Sequence, residues 1–124
     1  MDVIKTKVVL EFFNEVTMKT TALYCRVSTD NQVTGLESQV RALEAYCKSK
    51  NILDFAIYKE LGVSGAKSSR PQLDKMIADC EAGLISSVVV YSFSRFARST
   101  KHLILALEKF DQLNIRFLSL SENV

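Results

Sequence analysis

The chain predicts an α/β fold with a mainly parallel sheet, and three observations carry that prediction. Short apolar runs recur at Ala22–Arg26, Phe55–Lys59, Ser87–Tyr91 and Ile115–Leu120. Segments with helical apolar spacing separate them, and strands that alternate with helices build β-α-β units. One run, Val88-Val89-Val90, is apolar at every position, as expected of a strand covered on both faces. The 124 residues suffice for one compact domain and are too few for two ordinary ones.

Each element has a local reason. Ala22–Arg26 forms the first strand. Thr34-Gly-Leu-Glu37 fits a capping box, with Thr34 as the predicted N-cap. The helix it opens carries Leu36, Val40, Leu43 and Cys47 on one stripe. Phe55–Lys59 is the second strand, and Gly62–Ser69 is a loop of small residues. Pro71 suits the first turn of a helix that runs through Leu73, Ile77 and Cys80 and stops at Gly83. Ser87–Tyr91 is the third strand. Ser99 is placed to cap a helix reaching about Leu113, with Leu103, Leu107 and Phe110 on one face. Ile115–Leu120 closes the pattern as a fourth strand. Residues 1–18 do not share this alternation and are read as an N-terminal extension of unknown role, with the domain proper spanning 19–124.

Composition narrows the function classes. The net charge of +2 does not by itself announce a nucleic-acid partner. Its distribution says more: no acidic residue lies between Glu81 and Glu108, whereas Arg95, Arg98 and Lys101 do. Cys25, Cys47 and Cys80 are odd in number, form no C-x-x-C pair and sit among apolar neighbours. They read as small core residues in a reducing compartment, not as a disulfide framework or zinc site. No apolar run is long enough to span a membrane.

Open sheets of this type bind ligands at the carboxyl ends of their strands. Three polar loops meet that description: Ser28–Thr34, Gly62–Arg70 and Ser92–Ser99. Of six arginines in the chain, Arg26, Arg70, Arg95 and Arg98 lie in or beside them. Arginine suits phosphate because its planar fork holds two oxygens at once. Ser28, two residues from Arg26 and on the same strand face by alternation, is the candidate nucleophile. Phosphoryl transfer requires an aligned nucleophile and compensation of charge on the equatorial oxygens, and arginines can supply the second.

Other arrangements fit less well. The sole histidine, His102, lies past the cap of the third helix and reads as a surface helix residue, so a Ser-His-Asp triad is poorly supported. The loops offer only Asp30 as a carboxylate, with Glu60 at their border, which disfavours a two-metal site. Gly62-Val-Ser-Gly65-Ala-Lys67-Ser68 does not satisfy the phosphate-binding pattern G-x-x-x-x-G-K-[ST]. It reads as a turn, or as a loop whose Ser64 and Arg70 approach a phosphate. Gln39, early in the first helix, either points toward Ser28 or is a solvated helix residue.

Four segments together resemble the catalytic domain of the serine recombinases, the resolvase and invertase family. They are Tyr24-Cys-Arg26-Val-Ser28-Thr29, Gln39-Val-Arg41-Ala-Leu43, Gly62-Val-Ser64-Gly65 with Arg70-Pro71, and Tyr91-Ser-Phe-Ser94-Arg95-Phe-Ala-Arg98-Ser99. The resemblance implies a three-layer α/β/α resolvase-like domain with a mainly parallel four- to five-stranded sheet. It implies that Ser28 attacks a DNA phosphodiester to give a 5′-phosphoserine and a free 3′ hydroxyl. Arg26, Arg70, Arg95 and Arg98 match the family's catalytic arginines, and Gln39 and Ser64 match supporting positions. Ser94 and Ser99 stand where resolvases often carry aspartates, and Ser94 is expected to orient Arg95 or Arg98. The resemblance implies no metal or nucleotide cofactor, DNA as partner, and homodimers and tetramers in the complete protein; the cysteine reading implies a cytoplasmic location.

The chain reaches Ser121-Glu-Asn-Val124, about where the family's dimerisation helix begins, before any DNA-binding domain. It therefore reads as a truncated catalytic domain with weak, salt-sensitive DNA binding of its own. Two alternatives stay open at this point: a catalytically incompetent remnant acting in oligomerisation or regulation, and a small phosphate- or nucleotide-binding module.

Overall fold

The structure is a computed structural model, and it describes residues 19–27, 33–61 and 70–123. The elements run β1 (Thr20–Arg26), α1 (Val33–Ser49), β2 (Phe55–Glu60), α2 (Pro71–Glu81), β3 (Ile85–Val90), α3 (Phe93–Phe96), α4 (Thr100–Gln112) and β4 (Arg116–Ser119). The four strands form one sheet in the order β2-β1-β3-β4, and every neighbouring pair is parallel. The fold class read from alternation is therefore the one observed.

Side chains of β1 divide the core by parity. Leu23, Cys25 and Val27 pack with Leu36, Leu43 and Cys47 of α1 and with Val89. Ala22 and Tyr24 face the other way, toward Leu73, Met76 and Cys80 of α2 and toward Phe96 and Phe110 of α3 and α4. One helix covers one face and three cover the other, which gives three layers. Central β1 is buried from Thr21 to Cys25, and Val88, Val89 and Val90 of β3 are all buried. That burial accounts for their continuous hydrophobicity.

Four local readings change. Helix α1 already begins at Val33, so Thr34 lies within the first turn and not at the N-cap. The segment Ser92–Ser99, read as a loop, contains the single turn α3. Ser92 caps it, its Oγ accepting from the Arg95 amide. The buried stripe of α2 is Leu73, Met76 and Cys80, with Ile77 only partly covered beside it. Met76 completes the i, i+3, i+7 spacing. In α4 the buried anchor is Phe110, supported by Leu103 and Ala106, whereas Ile104 and Leu105 stay exposed. Ser99 does cap α4, its hydroxyl accepting from the His102 amide.

Turn chemistry closes the elements as the sequence suggests. Gly83 ends α2 at φ 81°, in the left-handed region. Nothing would lie within 4 Å of a Cβ there, so glycine serves the backbone angle and not a close approach. Cys25, Cys47 and Cys80 are free and buried. No helix among the described residues is long and apolar enough to cross a membrane.

Candidate active site

Parallel strands bring the carboxyl ends of β1, β2 and β3 to one edge, and the arginines collect there. Arg26 ends β1 on the same face as Ala22 and Tyr24. Its guanidinium crosses to α3, with Nη2 donating to the Ser94 carbonyl at 2.9 Å and Nε to the Arg95 carbonyl at 3.2 Å. Arg70 precedes α2 and is only 3% exposed. Its Nη1 donates to the Phe96 carbonyl at 2.6 Å. Two buried or half-buried arginines thus hold three successive carbonyls of one helical turn. Those carbonyls belong to the C-terminal end of α3, where the helix leaves acceptors unpaired and favours cations.

The held turn presents the other two arginines. Arg95 is half-buried, and Arg98 is exposed just beyond α3. Arg26 senses the other three. The charge on Arg26 is disfavoured by burial first, then by Arg70, and further by Arg95 and Arg98, with Tyr24 opposing. An arginine ordinarily titrates so high that it stays charged regardless. The result is a concentrated positive field at one edge of the sheet, suited to an anion. Among the described residues, Arg70 Nε is buried without a hydrogen-bond partner.

Two residues that sequence reading left at the margin fix this frame. Gln39 is 4% exposed, so the solvated alternative is incorrect. Its Nε2 donates to the Arg26 carbonyl at 3.0 Å, and its Oε1 accepts from the Arg26 amide at 3.2 Å. The primary amide imitates a strand partner at the point where β1 runs out. Glu60 is 3% exposed and fills the place of a missing cap on α2. Arg70 stands at the N-cap position and makes no side-chain cap bond there. Glu60 instead accepts from the Gln72 and Leu73 amides, each at 3.1 Å, and from the Tyr24 hydroxyl at 3.3 Å. Burial and the Glu60 charge both push the Tyr24 phenol upward, so it remains a proton donor to that carboxylate. A signal for Glu60 was present: a helix opening with Arg-Pro, without Ser, Thr, Asp or Asn, needs an acceptor from elsewhere.

The exposed side chain of Ser94 meets the Ser92 hydroxyl at 3.1 Å, and that hydroxyl accepts from the Arg95 amide. Ser94 also contributes the backbone carbonyl that Arg26 grips. Glu122 was not anticipated. Its carboxylate takes the Phe93 amide at 3.1 Å and the Ser119 hydroxyl, so the turn after β4 clips the start of α3. His102 is also not a free surface residue. It is half-buried and stacks on Phe96, with centroids 6.0 Å apart and planes 14° from parallel.

Ser28 and Ser64 lie outside the described residues, as do most of the loops that carry them. Ser28 follows Val27, which is itself fixed by donation of its amide to the Glu60 carbonyl at 3.1 Å. Lys101, in the first turn of α4, is exposed. Among the described residues no group of three His, Cys, Asp or Glu side chains could hold a metal ion.

Comparison with known proteins agrees with this geometry. Residues 21–124 match the family described as the resolvase N-terminal domain. The transposon Tn917 resolvase of Enterococcus faecalis is 44% identical over 101 residues, covering 82% of this chain and 49% of the relative. The chain thus spans about half the length of that relative. Among solved structures, the N-terminal catalytic domain of TP901-1 integrase superposes with a TM-score of 0.72 at 33% identity, covering 86% of this chain and 81% of the other. A resolvase family site-specific recombinase from Streptococcus pneumoniae gives a TM-score of 0.69 at 28% identity, covering 86% and 74%. With four arginines gathered at the C-terminal edge of a parallel sheet, and with these likenesses over nearly its whole described length, the chain belongs to the resolvase family of serine recombinases.

Proposed function

We propose that this domain cuts and rejoins DNA through a covalent phosphoserine. Ser28 Oγ gives up its hydroxyl proton as it bonds to a backbone phosphorus, the P–O3′ bond breaks, and the leaving 3′ oxygen takes up a proton. The strand is left joined to the protein through its 5′ phosphate. After strand exchange, attack by a 3′ hydroxyl on the phosphoserine reverses the step and releases the serine. The observation that carries this reading is the convergence of Arg26, Arg70, Arg95 and Arg98 on the edge where β1 ends, two residues before Ser28 in the sequence.

Positive charge fixed in a partly dry site stabilises the additional negative charge of a phosphoryl transition state without reorganising at the moment of reaction. Arg95 and Arg98 supply their side chains to the phosphate. Arg26 and Arg70 hold the backbone that aims them, while the unpartnered Arg70 Nε adds a donor. Gln39 keeps the end of β1 in register. Family membership supports DNA as the substrate. Exposed Ile104 and Leu105 on α4, at 50% and 54% exposure, support burial against further copies in dimers and tetramers. Free, buried thiols support a reducing, cytoplasmic setting.

The test is capture of a denaturant-stable adduct on a duplex with a pre-nicked strand, at low ionic strength. Peptide mapping should place the phosphodiester on Ser28, and Ser28→Ala should yield no adduct. An adduct of undiminished yield from Ser28→Ala would remove Ser28 as nucleophile.

A further inference from the structure

His102 occupies a junction that the phosphoryl-transfer scheme does not use. Its Nδ1 accepts a hydrogen bond from the Arg98 amide at 3.4 Å. Its own amide is capped by Ser99 at 3.1 Å, which fixes the first turn of α4. Its ring lies over Phe96, whose carbonyl Arg70 holds. Phe96 in turn contacts Tyr24, Phe110 and Phe117. The imidazole therefore ties the backbone of Arg98 to the aromatic centre of one layer and to the start of α4. An imidazole that accepts at Nδ1 carries its proton on Nε2, and a second proton on Nδ1 abolishes the acceptor.

We propose that His102 is a positioning residue for Arg98, its Nδ1 lone pair holding the Arg98 amide so that the exposed guanidinium projects from a fixed backbone. This role rests on the reading that Arg98 contacts the DNA phosphate. The charged groups acting on the ring are Arg70, from the start of α2, and Arg98, from the α3–α4 junction, and both are cationic. Burial first, and these two guanidinium groups after it, hold His102 below its ordinary value. The acceptor thus persists through neutral pH. Acidification below the usual histidine range of about 6.5 removes it and places a third positive charge beside the other two. The chain consequently carries a proton-sensitive hold on one phosphate-facing arginine.

The chain has one histidine, so its ring signals are unambiguous in NMR spectra. The experiment follows the His102 ring and the Arg98 amide from pH 7.5 to 4.5. It also measures affinity for a short DNA duplex at low, constant ionic strength across that range. The Arg98 amide should titrate on the same curve as the ring. Affinity corrected for the protein's overall charge should fall by roughly threefold to tenfold through that titration, the span of one hydrogen bond.

His102→Phe keeps a ring over Phe96 without an acceptor, and His102→Asn supplies an oxygen near the Nδ1 position without a titration. The phenylalanine variant should bind weakly at every pH, and the asparagine variant should bind well with no acid step. If the phenylalanine variant matches wild type while asparagine does not, stacking alone matters and the proposal fails. An Arg98 amide that ignores the ring titration also overturns it. Absence of DNA binding at any pH, with the amide coupling intact, would instead count against the DNA reading of the site and leave the hold on the Arg98 backbone standing.

Discussion

Arg26 and Arg70 form an inner pair bonded to backbone carbonyls, and Arg95 and Arg98 an outer pair in and just beyond the turn they hold, although all four belong to one edge of one sheet. The inner pair spend their donors on protein. Three of their N–H groups meet the carbonyls of residues 94, 95 and 96. Of the outer pair, Arg95 sits on the turn those carbonyls belong to and Arg98 two residues past it, open to solvent. The difference teaches that an arginine count does not equal a count of anion contacts. Part of the charge is used to build the support, and the same charge still contributes to the field at the edge.

The contrast would break most visibly at Arg70. Arg70→Ala leaves the Phe96 carbonyl without its donor and opens space in a buried region, so it should cost about 2–4 kcal/mol of stability. Urea unfolding of wild type and variant measures that. Arg98→Ala should do the reverse. Its stability change should stay within about 0.5 kcal/mol, while single-turnover cleavage of a nicked duplex should slow by a factor on the order of 10²–10³. Equal losses of stability in both variants would erase the division between inner and outer arginines.

A smaller effect is expected at Glu60, which supports the inner pair indirectly. Glu60→Gln retains one oxygen but loses the charge facing two amides, at a cost of about 1–2 kcal/mol. Faster hydrogen exchange should appear first at Gln72 and Leu73. The smallest effect concerns the layers beneath. Burial pushes the Cys25 thiol up to about 12 and the Cys80 thiol up to about 11. A raised thiol value means less thiolate at pH 8, so alkylation should be slow in the native state and complete after denaturation. Rapid labelling of Cys25 in the native protein would show that the edge above it opens frequently.

Stability should also weaken on the acid side. His102 is held below its ordinary value in the folded chain, so the unfolded chain binds the proton more readily. Stability is then unaffected by this group above about pH 6.5 and declines as pH falls toward the folded value. His102→Phe should flatten that part of the curve.

The strands were legible because their burial is simple. Val88-Val89-Val90 has helices on both sides, and no other environment tolerates three consecutive exposed alternatives so poorly. The edge was legible because four arginines fell into loops at one end. The hydrogen bonds were not. Gln39 and Glu60 look like ordinary polar positions until the strand end and the uncapped helix beside them are placed in space. Turn α3 was hidden because a four-residue helix has no room for an apolar period. The Ser94 carbonyl that Arg26 grips was hidden for a related reason: a residue type says little about what its carbonyl meets. His102 was read from its helix position alone, without the Phe96 ring that covers it.

The central place of β1 has a consequence for assembly during synthesis. β1 ends at Arg26, yet it needs β2 on one side and β3 on the other, and β3 runs only to Val90. A ribosome-bound chain must therefore leave one edge of β1 unpaired until more than sixty further residues have emerged. Such distant pairing slows folding and lengthens the interval in which apolar segments can meet the wrong partner. The arginine edge comes together only when Ser92–Ser99 docks behind β3, so a nascent chain has no assembled arginine edge until nearly the whole of this domain has been made.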